Sequence, residues 1–259
     1  MNDWVRGLST SHWTGKMNFI TAYNAGIRFW IGKATDAYKD TGKQFEDSRF
    51  DEHCQLAFAE PALLKGCYHW LQYSVDPIVA ADFYIERYRR YKFDFRPIMD
   101  FEERSVIDKK LFSDYAWRGE MFCKRIEEKL GLKPMIYTAK WFTNYFTTKQ
   151  ISWMNTYDLW VADYSWWANN ITKKPYYYPS NVWAVDDWDI WQNEADGNGK
   201  GHEFGQDALD AELSWYQGDY SQLLTWLNKS TIPEPPEVPL TLQEQIDDLD
   251  KRVTVLEGK

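Results

Sequence analysis

The chain has 259 residues, 44% of them hydrophobic, 27% charged and 18% aromatic, with a net charge of −9 at pH 7. This is a globular composition, long enough for one large α/β domain with an appendage, and its acidity leaves no basic stripe for nucleic acid or an anionic membrane surface. No run of about 18 apolar residues is present to insert into a membrane, and Met1-Asn2-Asp3-Trp4-Val5-Arg6 lacks the apolar core of a signal peptide.

Val5 to Thr10 reads as a strand, followed by a helix over Phe19 to Asn24 that stops at Gly26. Ile27 to Gly32 is a second strand, helical periodicity runs from Phe50 to Leu64, and Gly66 to Trp70 is a third strand. Pro77 opens a helix through Tyr91, and Pro97 to Glu102 forms a fourth strand. A helix from about Lys109 to Leu130 ends at Gly131, and Pro134 to Thr138 forms a fifth strand. Repeated strand–helix units predict parallel strands with right-handed crossovers that close into an α/β barrel. Beyond Thr138 the pattern thins. Asp158 to Tyr164 and Val182 to Trp191 read as strands with little helix between them, and Tyr220 to Leu227 as a closing helix. The barrel expected over 1–228 is thus irregular, with about five βα units and then mostly β structure.

After Asn228 the character changes. Residues 229–240 form a Pro-rich, extended linker. In 241–259, Leu242, Ile246, Leu249, Val253 and Leu256 follow a heptad seam that predicts a short coiled coil, a homo-oligomer with a dimer favoured. The alternative is a solvent-facing amphipathic tail, since about two and a half heptads are marginal alone.

Cys54, Cys67 and Cys123 share no metal or redox spacing and sit among apolar neighbours, as small buried hydrophobes of a reduced compartment do. Most of the aromatic load reads as core, with rings stacked on sugar faces accounting for part of the excess. Asp196, Asn198, Lys200, Gly201 and Asp207 match a calcium-loop spacing, but the lysine at a ligand position and the missing terminal Glu favour a Gly-rich hairpin. No metal and no cofactor is expected.

In the fourth strand Ile98, Asp100 and Glu102 share one face, and Met99 and Phe101 the other. In a barrel the first set faces inward, which stands two acids side by side at the carboxyl end of a parallel strand, where barrel enzymes place their chemistry. Crowded carboxylates resist joint ionisation, so one is held protonated near neutral pH as a general acid. Glycosidic bond cleavage needs such a group.

Several motifs then fall in one order. Gly7-Leu8-Ser9-Thr10-Ser11-His12-Trp13-Thr14-Gly15, Lys33-Ala34-Thr35-Asp36, Gly66-Cys67-Tyr68-His69-Trp70 and Pro97-Ile98-Met99-Asp100-Phe101-Glu102 are followed by Ile136-Tyr137-Thr138, Leu159-Trp160-Val161-Ala162, Trp191-Gln192 and Leu209-Asp210-Ala211-Glu212. Over nearly all of 4–228 this resembles glycoside hydrolase family 25, the Chalaropsis-type lysozymes (N-acetylmuramidases). The resemblance implies a flattened TIM-like β/α barrel that hydrolyses the β-1,4 bond between N-acetylmuramic acid and N-acetylglucosamine in bacterial peptidoglycan. It makes Glu102 the proton donor, Asp100 its partner at the substrate's acetamido group, and Asp210 a further acid of the cleft. Ser9, Tyr68, Tyr137, Trp160 and Trp191 become substrate-binding positions. With no signal peptide, the implied route is that of a phage endolysin, made in the host cytoplasm and released to the cell wall.

One departure bears on the chemistry. Where the family's opening motif, Gly-Ile-Asp, carries an acid, this chain has Ser9, and a hydroxyl supplies no negative charge. Glu212 replaces the Asn usual near the closing Asp and can restore charge from another side. Two alternatives to the lysozyme reading follow: a non-catalytic or weakly active wall-binding or virion module that keeps the barrel, and a hydrolase of another amino-sugar polymer.

Overall fold

The computed structural model describes residues 3–228. The expected linker and coiled coil lie outside the described residues.

The first half is built from strand–helix units. β1 (Val5–Thr10) leads through α1 (Phe19–Asn24) to β2 (Ile27–Ala37), from which β3 (Gln44–Glu46) folds back. α2 (Phe50–Phe58), β4 (Leu64–Trp70), α3 (Pro77–Tyr88) and β5 (Ile98–Asp100) follow. α4 (Ser105–Asp108) and α5 (Phe112–Leu130) precede β6 (Met135–Ala139). The later connections are lighter: α6 (Lys140–Thr143) and α7 (Thr148–Ile151), then β7 (Leu159–Ala162), β8 (Ile190–Glu194), β9 (Glu212–Tyr216) and α8 (Tyr220–Trp226).

The sheet runs β1-β9-β8-β7-β6-β5-β4-β2 and returns to β1, an eight-stranded closed barrel with β3 appended to β2. All barrel pairings are parallel except the two made by β9. Alternation along the strands divides the core in two. Phe29, Ile31, Ile98, Met135, Trp160 and Ile190 fill the lumen, while Trp30, Met99, Phe101, Ile136 and Val161 pack beneath the helices. The three cysteines are buried free thiols. The barrel is helix-covered along its first strands and barer along its last, as the sequence pattern predicts.

Local chemistry sets the element ends. Asp76 caps α3 by accepting from the Ile78 and Val79 amides, with Pro77 in the first turn, and α5 ends on Gly131 in the left-handed region at φ 66°. The helix expected through Leu64 stops at Phe58, because Pro61 lies ahead and disfavours helical backbone at Glu60. The helix expected from Lys109 starts at Phe112, after Lys110 turns to φ 56° and separates α4 from α5.

Two strand assignments differ from expectation. Val182 to Val185 is a turn, not a strand: the Val182 and Trp183 amides donate to the Pro179 carbonyl, and Trp183 and Trp188 are buried anchors for the loop. β9 has no counterpart among the predicted elements, since the apolar signal over Leu213 to Tyr216 is too short for periodicity to separate from a loop. In the Gly-rich stretch, Asn198 clamps Ala211 with two hydrogen bonds and Lys200 pairs with Glu194 at 2.6 Å.

The strand that carries the paired acids is fastened by a helix side chain. Tyr84 of α3 is fully buried, donates to the Cys67 carbonyl at 2.7 Å and accepts from the Ile98 amide at 3.0 Å, tying β4 to β5. Tyr84→Phe leaves both backbone groups unpaired and lowers stability by about 1–3 kcal/mol in urea denaturation. A loss below about 0.5 kcal/mol would mean that the phenol does not hold the two strands together.

Candidate active site

The parallel strands all end at one rim, and an antiparallel strand starts there, so β9 places its first residue among the others' last. Ser9 of β1 lies opposite Glu212 of β9, Trp70 of β4 opposite Asp100 of β5, and Asp100 opposite Tyr137 of β6, which itself faces Trp160 of β7. These residues, with Tyr68, Glu102, Tyr164, Gln192 and Asp196, line a cavity of about 270 Å³. Glu102 follows the end of β5 and is gripped from both sides. The Phe101 amide donates to the Tyr137 carbonyl at 2.9 Å, the Phe101 carbonyl accepts from Thr138 Oγ1 at 2.8 Å, and the Phe101 ring stacks on Tyr115. On the other side Glu103 is buried and accepts from the Tyr73 amide and the Ser105 hydroxyl.

A hydrogen-bond chain crosses the floor. Tyr137 donates to Gln192 Oε1 at 2.6 Å and Tyr164 donates to the same oxygen. Gln192 Nε2 donates to Ser9 Oγ at 3.1 Å, and Ser9 Oγ donates to Glu212 Oε2 at 2.7 Å. Ser9 therefore occupies a position where an acid would face Glu212, and serves as that carboxylate's donor.

Of the four carboxyl groups that line the cavity, Asp100, Glu102 and Glu212 have their pKa raised by burial. Burial first and the Glu212 charge second push Glu102 up to about 8. Asp100, 4% exposed, is held well above the usual carboxylate range by burial and by Glu102, with Lys33 opposing. Glu212 is raised by burial against the opposing hydrogen bond from Ser9. Lys33 is buried, pairs with Asp36 at 2.5 Å, and lies 4.4 Å from the Trp70 ring centroid. Asp100 Oδ1 is buried with no hydrogen-bond partner among the described residues.

A second cavity of about 620 Å³ adjoins the first. Glu102 and Tyr164 line both, and Lys140, Trp141, Asp163 and Tyr177 form much of the remaining wall. Glu102 thus stands at the junction of two spaces, each of a size for sugar rings.

Of the expected site residues, Glu102, Asp100, Ser9, Tyr68, Tyr137 and Trp160 come together in the first cavity. Asp210 does not. It precedes β9 in a partly exposed turn, where its carboxylate accepts backbone hydrogen bonds, including one from the Gly199 amide at 2.8 Å, that lower its pKa. Trp191 also lies elsewhere: it is buried on the outer face of β8 and donates from Nε1 to the Asp163 carbonyl. Its neighbour Gln192 holds the inward position. Sequence reading missed Gln192, Tyr164, Trp70 and Asp196. Alternation along β8 was the available signal for Gln192, passed over there because the family resemblance pointed to Trp191.

Residues 9–202 match the family model described as glycosyl hydrolases family 25. The chain is 29% identical over 165 residues to YegX of Escherichia coli K12, a match covering 62% of this chain and 56% of that protein. It thus spans little more than half the length of those curated relatives. It is 23% identical over 234 residues to lysozyme M1 of Streptomyces globisporus, covering 87% of this chain and 72% of that one. A family GH25 lysozyme from Aspergillus fumigatus superposes with a TM-score of 0.66 at 22% identity, covering 88% of this chain and 100% of that one. The structural likeness is one of fold.

The raised acid carries a stability signature. Glu102 titrates near 8 in the folded chain and at about 4.3 when unfolded. Between those values the folded state holds a proton that the unfolded state lacks, so stability falls as pH rises through the interval. Glu102→Gln removes that loss and raises Tm by a few degrees at about pH 8 and by much less near pH 5, as calorimetry would show. An equal fall in Tm at both pH values would mark the side chain as structural.

Proposed function

The chain belongs to glycosyl hydrolases family 25, and from that membership we propose that it cleaves the β-1,4 bond between N-acetylmuramic acid and N-acetylglucosamine in bacterial peptidoglycan. One observation carries the reading: Glu102, at the junction of two cavities, has its pKa pushed up to about 8. Below that pH it holds the proton that the leaving glycosidic oxygen needs.

Glu102 donates this proton as the bond breaks and positive charge develops at the anomeric carbon. Asp100 faces the acetamido group of the sugar being cleaved. Its unpartnered Oδ1 accepts the acetamido N–H and turns that group's carbonyl oxygen toward the anomeric carbon. Glu102, now ionised, then takes a proton from the water that completes hydrolysis. Glu212 supplies negative charge from the β9 side of the cavity, where the hydroxyl of Ser9 cannot. Tyr137 and Tyr164 hold Gln192 in place, and Trp160 and Tyr68 form ring walls.

No helix among the described residues is long and apolar enough to cross a membrane. The reading extends to an endolysin-like route to the wall and to pairing of chains through 242–256. A second reading, wall binding without hydrolysis, draws on Ser9 in place of an acid.

Dye release from purified peptidoglycan separates the two. Glu102→Gln lowers the rate by at least about 100-fold, the usual contribution of proton donation, and near-parental turnover would end the assignment of Glu102 as general acid. A parent chain that releases no dye would leave the wall-binding reading in its place.

The role of Glu212 is tested through the pH profile. Its charge raises Glu102, so Glu212→Gln moves the basic limb of kcat/KM to lower pH and reduces turnover. Ser9→Asp sets a second carboxylate against Glu212 in place of its 2.7 Å donor, and lowers activity by crowding. A rise in activity with Ser9→Asp would show that Glu212 does not fill the missing acid's place.

A further inference from the structure

The strands that close the cleft carry a second group of rings on their opposite face. Gln192 and Ser214 point into the barrel, so Trp191 and Trp215, each adjacent in sequence, point out. The two tryptophans lie opposite one another across the ladder, and Arg6 of β1 faces Trp215 from its other side, with its guanidinium 5.3 Å from the ring centroid. A cavity of about 490 Å³ opens on this barer side of the barrel, with Trp4, Trp191 and Trp215 among its walls. Trp4 is held edge-on against the buried Trp188.

A β-bulge completes the lining. Gln192 pairs with Ser214 but Glu194 with Leu213, which leaves Asn193 as the extra residue. The bulge breaks the alternation, so that Asn193 and Glu194 both reach the cavity. Asn193 is 5% exposed, and its Nδ2 donates to Asn169 Oδ1 at 3.0 Å. Its Oδ1 has no partner among the described residues. A buried amide oxygen left unpaired is costly, and calls for a donor from outside the barrel.

We propose that this cavity is a second glycan site, separate from the cleft, which holds an N-acetylated pyranose of the peptidoglycan strand. Indole rings suit the apolar face of a pyranose. The amide of Asn193, fixed by Asn169, offers an acceptor to a sugar hydroxyl or an acetamido N–H. The charges at the site are one of each sign, Lys173 and Glu194, and Glu194 is already paired with Lys200, which favours a neutral sugar over an ionic ligand. The preference for wall glycan over another N-acetylated sugar rests on the proposed function; the presence of a sugar site does not. The site keeps the enzyme on its insoluble polymer while the cleft on the other face of β8 engages a bond.

The test uses the full chain carrying Glu102→Gln, so that no substrate is consumed. Binding is measured to purified insoluble peptidoglycan, and separately to triacetylchitotriose by tryptophan fluorescence. Adding Trp215→Ala weakens binding to peptidoglycan by about tenfold, and Asn193→Ala weakens it severalfold. In the chain with Glu102 intact, both changes slow dye release from insoluble peptidoglycan but leave kcat on soluble glycan fragments within about twofold. Trp4→Ala, a change outside the sheet, repeats the binding test if Trp215→Ala fails to fold. Parental binding to peptidoglycan in the folded variants would overturn the proposal, as would a Glu102→Gln chain that binds neither probe. If the parent releases no dye but the variants still lose triacetylchitotriose, the sugar site stands and the hydrolase reading falls.

Discussion

The cleft depends on a single antiparallel strand. Seven barrel strands run in one direction and end at the same rim, and β9 enters from that rim between β8 and β1. Its first residue, Glu212, therefore lands opposite Ser9 and among the carboxyl ends of the other strands. A parallel strand in the same slot would put its first residue at the far end of the barrel. The bond from Ser9 to Glu212, the contact from Gln192 to Ser9 and the effect of Glu212 on Glu102 all follow from this closure. Closure also removes the sheet edges that an open arrangement would leave to be covered.

Around that strand the chain accumulates acid in a confined space. Asp100, Glu102 and Glu212 are all raised by burial, and the nearby cation Lys33 is already paired with Asp36. In water such groups would ionise independently; here each charge raises the cost of the next. The arrangement works against stability in neutral solution and provides a protonated carboxyl for the proton donation that the proposed reaction requires. The fold contributes the rigidity. Phe101 and Glu103, on either side of Glu102, are fully engaged, one in the core under the helices and one with Tyr73 and Ser105.

The same strands present different chemistry on their two faces. Toward the rim of β8 and β9 the inward side chains, Gln192, Ser214 and Glu212, are polar, with Gln192 and Glu212 lining the cleft, and on the opposite face stand the rings of Trp191 and Trp215. Elsewhere helices cover the outward rings, as Tyr115 of α5 covers Phe101. Along the barer part of the barrel they border a cavity open to solvent. The proposed hydrolysis of an insoluble polymer has a use for both faces: a recessed acid site where the strands end, and rings on the wall behind it.

Local chemistry was enough to place much of this. Alternation over Pro97 to Glu102 put Asp100 and Glu102 on one face and Met99 and Phe101 on the other, because a strand's period of two is a property of neighbouring residues. Pro77 and Gly131 marked helix ends through their own backbone limits. The sequence could not choose between Asp210 and Glu212, two residues apart and equivalent by alternation. The choice came from the point at which β9 begins, with Asn198 clamping Ala211 and leaving Asp210 in the turn outside. Nor could it choose between Trp191 and Gln192, where the resemblance pointed to the ring and closure turned the amide inward. Val182 to Val185 carried too few residues for periodicity to tell a strand from an anchored turn. Alternation is local, but which face becomes the inside is set by contacts such as that between Ser9 and Glu212, 203 residues apart, and these exist only once the barrel has closed.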